Sequence, residues 1–234
     1  MDRRRAWREL TAEVVECRKC PRLVEWREAA ASEPRAAFRG QQYWARPVPG
    51  FGDTGARVLV VGLAPAAHGG NRTGRIFTGD RSGDWLFASL YRTGFANQPT
   101  SVSCDDGLEL RDVYVAAAVR CAPPANRPTT EERDTCLPYL ARELDLLTSV
   151  RVVVVLGGFA YDAFARVHTL PKPRPRFGHG VEVRAGDLTV VCCYHPSQQN
   201  TFTGKLTEPM TDAVFVRARE LAAGRQSASS SPTA

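Results

Sequence analysis

The sequence predicts an α/β protein with three αβα layers, in which a central, mostly parallel sheet of four strands lies between helices. Four short apolar runs rich in β-branched residues indicate buried parallel strands. They are Arg57–Gly62, Val113–Ala118, Arg151–Leu156 and Leu188–Cys193. Helical patterns separate these runs, as expected for an open sheet covered on both faces.

The helical segments follow from periodicity and from their end signals. Apolar residues at helical spacing predict a helix over residues 5–16. Thr129 and Glu132 form a capping-box pattern at the start of a long helix. The later predicted helices are Asp84–Tyr91, Thr129–Leu147, Phe159–Val167 and Pro209–Ala223. Residues 33–56, rich in proline, glycine and arginine, predict a loop.

Length and composition indicate one globular domain over residues 1–223, followed by a Ser/Ala-rich tail at 224–234 that we expect to be disordered. No apolar run reaches the roughly 18 residues of a membrane span. The charged N-terminus lacks a signal-peptide pattern, so we expect a cytoplasmic protein. A nucleic-acid partner would make it nucleoid-associated. The net charge of +6 is compatible with a nucleic-acid partner.

Seven cysteines are many for a protein of a reducing compartment, where disulfides are disfavoured. Four form a pattern of two pairs: Cys17 and Cys20 are separated by two residues, and Cys121 and Cys136 by 14. Thiolates select zinc or an iron–sulfur cluster, and the absence of a zinc-ribbon spacing favours the cluster. The alternative is that these cysteines are small buried apolar residues.

Two unusual loops directly follow predicted strands. They are expected at the carboxyl ends of the strands, where open parallel sheets bind ligands. The glycine-rich loop Gly62–Asp80 lacks the dinucleotide and P-loop fingerprints, which argues against a nucleotide-binding protein. The second loop, Tyr194–Thr201, contains His195, which can donate a hydrogen bond into a pocket. Its short polar residues suit phosphate or sugar contacts. A plain turn after a strand is the alternative for each loop.

These two loops, at Gly62–Asp80 and His195–Thr201, resemble the signature motifs of the uracil-DNA glycosylase superfamily, and the match is closest to family 5, or type b. The cysteine spacing is similar to that of families 4 and 5. The resemblance runs from Cys17 to about Glu220. It implies the uracil-DNA glycosylase fold, a [4Fe–4S] cluster held by the four cysteines, and hydrolysis of the N-glycosidic bond of deaminated bases in double-stranded DNA, the first step of base excision repair.

The resemblance also implies roles for individual residues. Phe77 is expected to stack on a base flipped out of the duplex. His195 is expected to donate to the base carbonyl where charge develops. Asp80 is expected to orient water or to stabilise the cationic sugar, with a helix N-cap as its alternative. Asn126 is a further catalytic candidate, although asparagine is also common in turns.

The predicted substrate-binding residues besides Phe77 are Gly62, Leu63, Ala64, Ala67, Ala117 and Ser197. Ala64 stands where the best-known superfamily members carry an acid. The strand that contains Ala117 lacks the amide by which uracil-selective relatives read the base. Losing this hydrogen bond predicts relaxed selectivity, which would admit purines such as hypoxanthine.

The predicted partner is double-stranded DNA containing a deaminated base, bound by a monomer. The basic segment 172–176 either follows the phosphate backbone or is a solvated charge run. Two other functions stay open on the sequence alone: an iron–sulfur protein that binds damaged DNA without catalysis, and a cluster-containing electron carrier or radical protein.

Overall fold

The computed structural model describes residues 2–224, in which six strands form one mixed sheet. The strands are β1 (Phe51–Gly52), β2 (Val58–Gly62), β3 (Val113–Ala117), β4 (Val152–Leu156), β5 (Glu182–Ala185) and β6 (Leu188–Cys193). They lie in the order β1-β3-β2-β4-β6-β5. The inner four are parallel, which confirms the predicted core, and the two edge strands are antiparallel to their neighbours.

The edge strands correct the predicted number of strands from four to six. β1 has two residues, too few to show any periodicity. β5 alternates exposed Glu182 and Arg184 with buried Val183 and Ala185. This is the pattern of a strand with one solvated face, unlike the continuous apolar runs of the inner strands.

Helices cover both faces of the sheet. Within residues 2–224 they are α1 (Arg3–Val15), α2 (Pro21–Ser32), α3 (Gly70–Thr73), α4 (Arg81–Arg92), α5 (Thr130–Leu146), α6 (Gly158–Val167), α7 (Gln198–Phe202) and α8 (Glu208–Ala222). The five predicted helices are present with ends shifted by a few residues. Helices α2, α3 and α7 were not predicted. The region predicted as loop is irregular apart from β1 and one 3₁₀ turn at Ala36–Phe38.

Side chains that alternate along the buried strands form two apolar layers. Val58 and Val60 of β2 face the layer that includes α4 and α8. Leu59 and Val61 face the layer that includes α5 and α6. The capping box predicted for α5 is present, because Thr129 Oγ1 accepts the N–H of Glu132 at 3.1 Å and the Glu132 carboxylate accepts the N–H of Thr129 at 2.7 Å.

The connections create a crevice at the carboxyl ends of the strands. The chain leaves β2 and β6 toward the α4 and α8 face, whereas it leaves β4, which lies between them, toward the α5 and α6 face. Such a reversal is where open parallel sheets bind their ligands. It places the loops that follow β2 and β6 on either side of one opening.

Two further predictions concern the C-terminal tail and the crossing of a membrane. The tail predicted to be disordered, 224–234, lies outside the described residues except for Gly224. Within residues 2–224, no helix has the length and apolar character that crossing a membrane requires.

Candidate active site

A cleft of about 890 Å³ opens at the carboxyl ends of the parallel strands. The two loops singled out in the sequence meet there, together with the segment that follows β3. The predicted site residues that line the cleft are Leu63, Ala64, Ala67, Phe77, Asp80, Asn126, His195 and Ser197. Residues from three separate parts of the chain therefore share one opening, as a binding site at such a crevice requires.

Phe77 forms part of the cleft wall in an unusual backbone conformation. Its φ is +53°, in the left-handed region that large side chains rarely adopt. Its ring packs directly on Gly62, where a Cβ atom would lie 2.6 Å from ring carbons Cε2 and Cζ. Gly62 and its strand neighbour Ala117 do not line the cleft, because the Phe77 ring covers Gly62 and Ala117 is buried in the sheet.

His195 faces Phe77 across the cleft. The centroids of the two rings are 6.2 Å apart and their planes are inclined by 35°. Gly157, at the end of β4, makes room for the histidine, since a Cβ there would lie 3.2 Å from His195 Cβ. Burial lowers the pKa of His195 to about 4. The imidazole is therefore neutral near pH 7, and one of its nitrogens carries an N–H that can be donated.

The position of Asp80 is compatible with both of its predicted roles, as a helix N-cap and as a carboxylate of the cleft. It caps α4, because its Oδ1 accepts the N–H of Gly83 at 3.0 Å. Its Oδ2 lies against Gly69, where a Cβ would be only 2.1 Å away. Burial raises the pKa of Asp80, although the N–H groups of Gly83 and Ser82 and the Arg72 guanidinium act in the opposite direction. One carboxylate thus begins a helix and also lines the cleft.

Asn126 and Ser197 line the cleft near its surface. Asn126 is exposed on the single turn Pro124–Asn126 and has a φ of +55°, which asparagine tolerates. Ser197 is the N-cap of α7 and accepts the N–H of Asn200 at 3.4 Å. Both positions have a structural role that explains the residue type, and both leave polar atoms near the opening.

Part of the cleft wall was not predicted from the sequence. Trp26 comes from α2, whose mostly polar and alanine-rich sequence has weak helical periodicity. Phe38 and His68 also line the cleft. The Tyr43 hydroxyl is 2.8 Å from Nδ1 of His68, and the Arg72 guanidinium lies 4.3 Å above the Phe38 ring. His68 and Arg72 belong to the glycine-rich motif, and this membership could have indicated that they lie near the cleft.

The four patterned cysteines line a second, smaller cavity, where α1 ends and α2 begins, beside the middle of α5 and the segment after β3. Cys17 and Cys20 are half-buried, whereas Cys121 and Cys136 are buried. Burial raises the pKa of Cys121 to about 11 and that of Cys136 to about 12. Metal ligation would displace these thiol protons.

The surroundings of this cavity fit an anionic group. Among residues 2–224, no three His, Cys, Asp or Glu side chains lie close enough to hold one metal ion. The guanidinium of Arg27 is buried and donates to Cys121 Sγ at 3.2 Å, while its Nε has no partner. The N–H of Arg120 points to Cys136 Sγ at 3.3 Å. The carboxylate of Glu28 lies 4.0 Å from Arg27 Nη2, so this buried cation beside thiols, which are neutral when protonated, has little negative charge around it.

The basic segment 172–176 lies apart from the cleft lining. Arg174 forms an ion pair of 2.8 Å with Asp162 and lies 5.4 Å from the centre of the Tyr161 ring. One of the three cations in this segment is therefore already paired within the protein. Its predicted contact with the DNA backbone stays a prediction.

The comparisons with known proteins agree with this geometry. The family description "Uracil DNA glycosylase superfamily" matches residues 49–220. The chain is 53% identical to a type-5 uracil-DNA glycosylase of Mycobacterium bovis, covering 92% of this chain and 81% of that protein. It is 50% identical to one of Thermus thermophilus (95% and 99% covered) and 48% identical to one of Pyrobaculum aerophilum (88% of each). The chain therefore belongs to the uracil-DNA glycosylase superfamily.

Proposed function

We propose that this protein is a DNA glycosylase that removes uracil and other deaminated bases, including hypoxanthine, from double-stranded DNA. The observation that carries the proposal is the pairing of Phe77 with His195 across one cleft at the tip of the sheet. A stacking ring and a neutral hydrogen-bond donor are what a pocket needs to hold an extruded base. The similar proteins named above are type-5 uracil-DNA glycosylases.

Departure of the base is the first half of the reaction. The bond between sugar C1′ and the base nitrogen breaks, and the base leaves with the electron pair. Negative charge then develops on the base carbonyl, where the N–H of His195 stabilises it. Because the pKa of His195 is only about 4, the imidazole acts as a neutral donor. Phe77 stacks on the face of the base and holds it in line with the histidine.

Water completes the reaction at the sugar. The water oxygen bonds to C1′, and its proton passes to the Asp80 carboxylate or to solvent. In its ionised form Asp80 also stabilises the positive charge that builds on the sugar. Its Oδ1 is held by the N–H of Gly83, so its Oδ2 is the oxygen available to the water. Ala64, near the start of the motif, has no group that can share this task.

The end of β3 supports broad selectivity. Ala116 and Ala117 of β3, and Ala118 after it, are buried and present only methyl groups. A buried amide at this place would reject every base that fails to pair with it, at a ratio of about 10⁴ or more. Without an amide at this place, no such penalty arises. Bases that share a carbonyl with uracil, such as hypoxanthine, can then use the same contact to His195.

The proposal includes a [4Fe–4S] cluster bound by Cys17, Cys20, Cys121 and Cys136, which line one cavity next to the buried cation of Arg27. Four thiolates give a closed cluster, whose contribution is structural. The N–H of Asn71 Nδ2 donates to the backbone carbonyl of Arg27 at 3.0 Å, so the cysteine site is tied to the glycine-rich motif.

The test uses duplex oligonucleotides that contain one uracil or one hypoxanthine, with an undamaged duplex as reference. The protein should convert each damaged site into an alkali-labile abasic site under single-turnover conditions. Asp80→Asn and His195→Ala should each slow this reaction by about tenfold or more, the usual scale for a lost catalytic group.

Asp112→Asn is the matched control, because the Asp112 carboxylate also accepts a backbone N–H, that of Arg57 at 2.9 Å, but lies near the opposite ends of the strands. It should react at the wild-type rate. Binding of the uracil duplex without any abasic product would instead support the non-catalytic alternative. Full activity in both Asp80→Asn and His195→Ala would refute the assigned roles.

A further inference from the structure

The backbone of Phe77 needs an external support. Its φ of +53° is unfavourable for an aromatic residue, and such conformations persist only where the surroundings hold them. The ring of Phe77 packs on Gly62, which fixes one side of it. The Phe77 carbonyl packs on Gly83, where a Cβ would lie 1.8 Å from its oxygen. The rest of the support comes from the residues before and after Phe77.

A buried polar network holds both of these flanks. Arg75, two residues before Phe77, donates from Nε to Thr78 Oγ1 at 3.0 Å. Its Nη2 donates to Ser101 Oγ at 2.8 Å and to Asp106 Oδ2 at 2.7 Å. The hydroxyls of Thr78 and Ser101 are 2.6 Å apart. One guanidinium thus connects the residues on both sides of Phe77 to the segment 101–106.

Asp106 anchors this network to the segment that follows α4. Besides Arg75, it accepts the N–H of Val102 at 2.7 Å and that of Leu108 at 3.0 Å. Burial alone would raise the pKa of Asp106, but these hydrogen bonds lower it to about 2. The carboxylate is therefore ionised at any pH of interest. Both side chains of the Arg75–Asp106 pair are buried, with about 5% of each exposed.

We infer that Arg75, Thr78, Ser101 and Asp106 are positioning residues that set the orientation of the base-stacking ring of Phe77. None of the four lines the cleft, so they act through Phe77 and not on the substrate. The inference rests on the proposed function, because it gives Phe77 a base to stack on. It adds a specificity-determining network that lies behind the pocket.

The test separates base stacking from DNA binding in general. Two duplexes serve as probes: one contains a non-hydrolysable 2′-fluoro-arabino-uridine, and the other a tetrahydrofuran abasic analogue at the same position. Asp106→Asn and Thr78→Val should bind the uracil analogue about tenfold more weakly, on the scale of one lost base stack. Both should bind the abasic duplex as the wild type does, since that duplex offers no base to Phe77.

Two further variants make the outcome decisive. Thr78→Ser retains the hydroxyl and should restore binding of the uracil analogue. Asp212→Asn removes a carboxylate that bonds Ser89 and Arg92 between α4 and α8, away from Phe77, and should bind both duplexes like the wild type. Thr78→Val provides the answer if Asp106→Asn fails to fold.

The network is refuted if the Asp106 and Thr78 variants bind both duplexes normally or lose both in equal measure. It is also refuted if Thr78→Ser behaves like Thr78→Val. The proposed function fails separately, through a wild-type protein that forms no abasic sites in the cleavage assay. A wild type that cleaves uracil while the variants keep full affinity would overturn the network alone.

Discussion

Replacing Gly62 by alanine tests how closely the site depends on the Phe77 ring. The added Cβ would lie 2.6 Å from Cε2 and Cζ of Phe77. Two carbon atoms pack at about 3.5–4.0 Å, so the ring must retreat by roughly 1 Å. It has little room, because Phe77 is 5% exposed and its backbone is held at a positive φ. The substitution therefore moves the stacking surface without changing a single polar group.

The magnitude follows from two contributions. Overpacking at a buried site costs about 1–3 kcal/mol of stability. The loss of a well-placed aromatic stack costs a further amount of about 1–3 kcal/mol per base, which is about 5- to 150-fold in the excision rate. We therefore expect Gly62→Ala to fold, with a modestly lower resistance to urea, and to excise uracil at least about fivefold more slowly.

Single-turnover excision from a uracil duplex measures this effect directly. Gly158→Ala is the matched control, because Gly158 begins α6 at the end of the neighbouring strand and its added Cβ would meet only Phe177 Cδ1, at 3.8 Å. This control should keep the wild-type rate. If Gly62→Ala matched the control in rate while remaining folded, the ring of Phe77 would not be the surface that holds the base.

Two other predictions concern charge. His195 should weaken the fold in acid: its pKa is about 4 in the folded protein but 6.5 when unperturbed, so the unfolded chain binds the proton first and stability falls as the pH drops from 6.5 toward 4. The loss of unfolding free energy approaches about 3 kcal/mol. Urea unfolding above and below pH 6.5 should therefore show a smaller loss of stability in acid for His195→Gln than for the wild type, and equal losses would contradict the lowered pKa of His195. Arg27→Met should lower the reduction potential of the bound cluster, because it removes the buried cation beside Cys121. The control in the redox titration is Arg18→Met, since Arg18 is exposed and paired with Glu28. Equal reduction potentials in the two variants would count against the role of Arg27.

Local patterns determined much of the architecture in advance. The inner strands are buried on both faces, so their apolar runs are continuous and easily recognised, as at Val152–Leu156. The Thr129 and Glu132 capping box depends on contacts within one helical turn and was predicted correctly. The edge strands escaped prediction, because one has two residues and the other carries charged residues on its solvated face.

What only the tertiary structure decided is how residues distant in sequence meet. The sequence by itself identified the two signature loops and the four cysteines, because their residue types carry the chemistry. It did not reveal that Trp26 joins the cleft, that Gly62 lies beneath Phe77, or that Arg75 and Asp106 hold the turn between them. These contacts join residues 15 or more positions apart, and no local spacing encodes them. They exist because the sheet brings the carboxyl ends of its strands together and packing then fixes each neighbour.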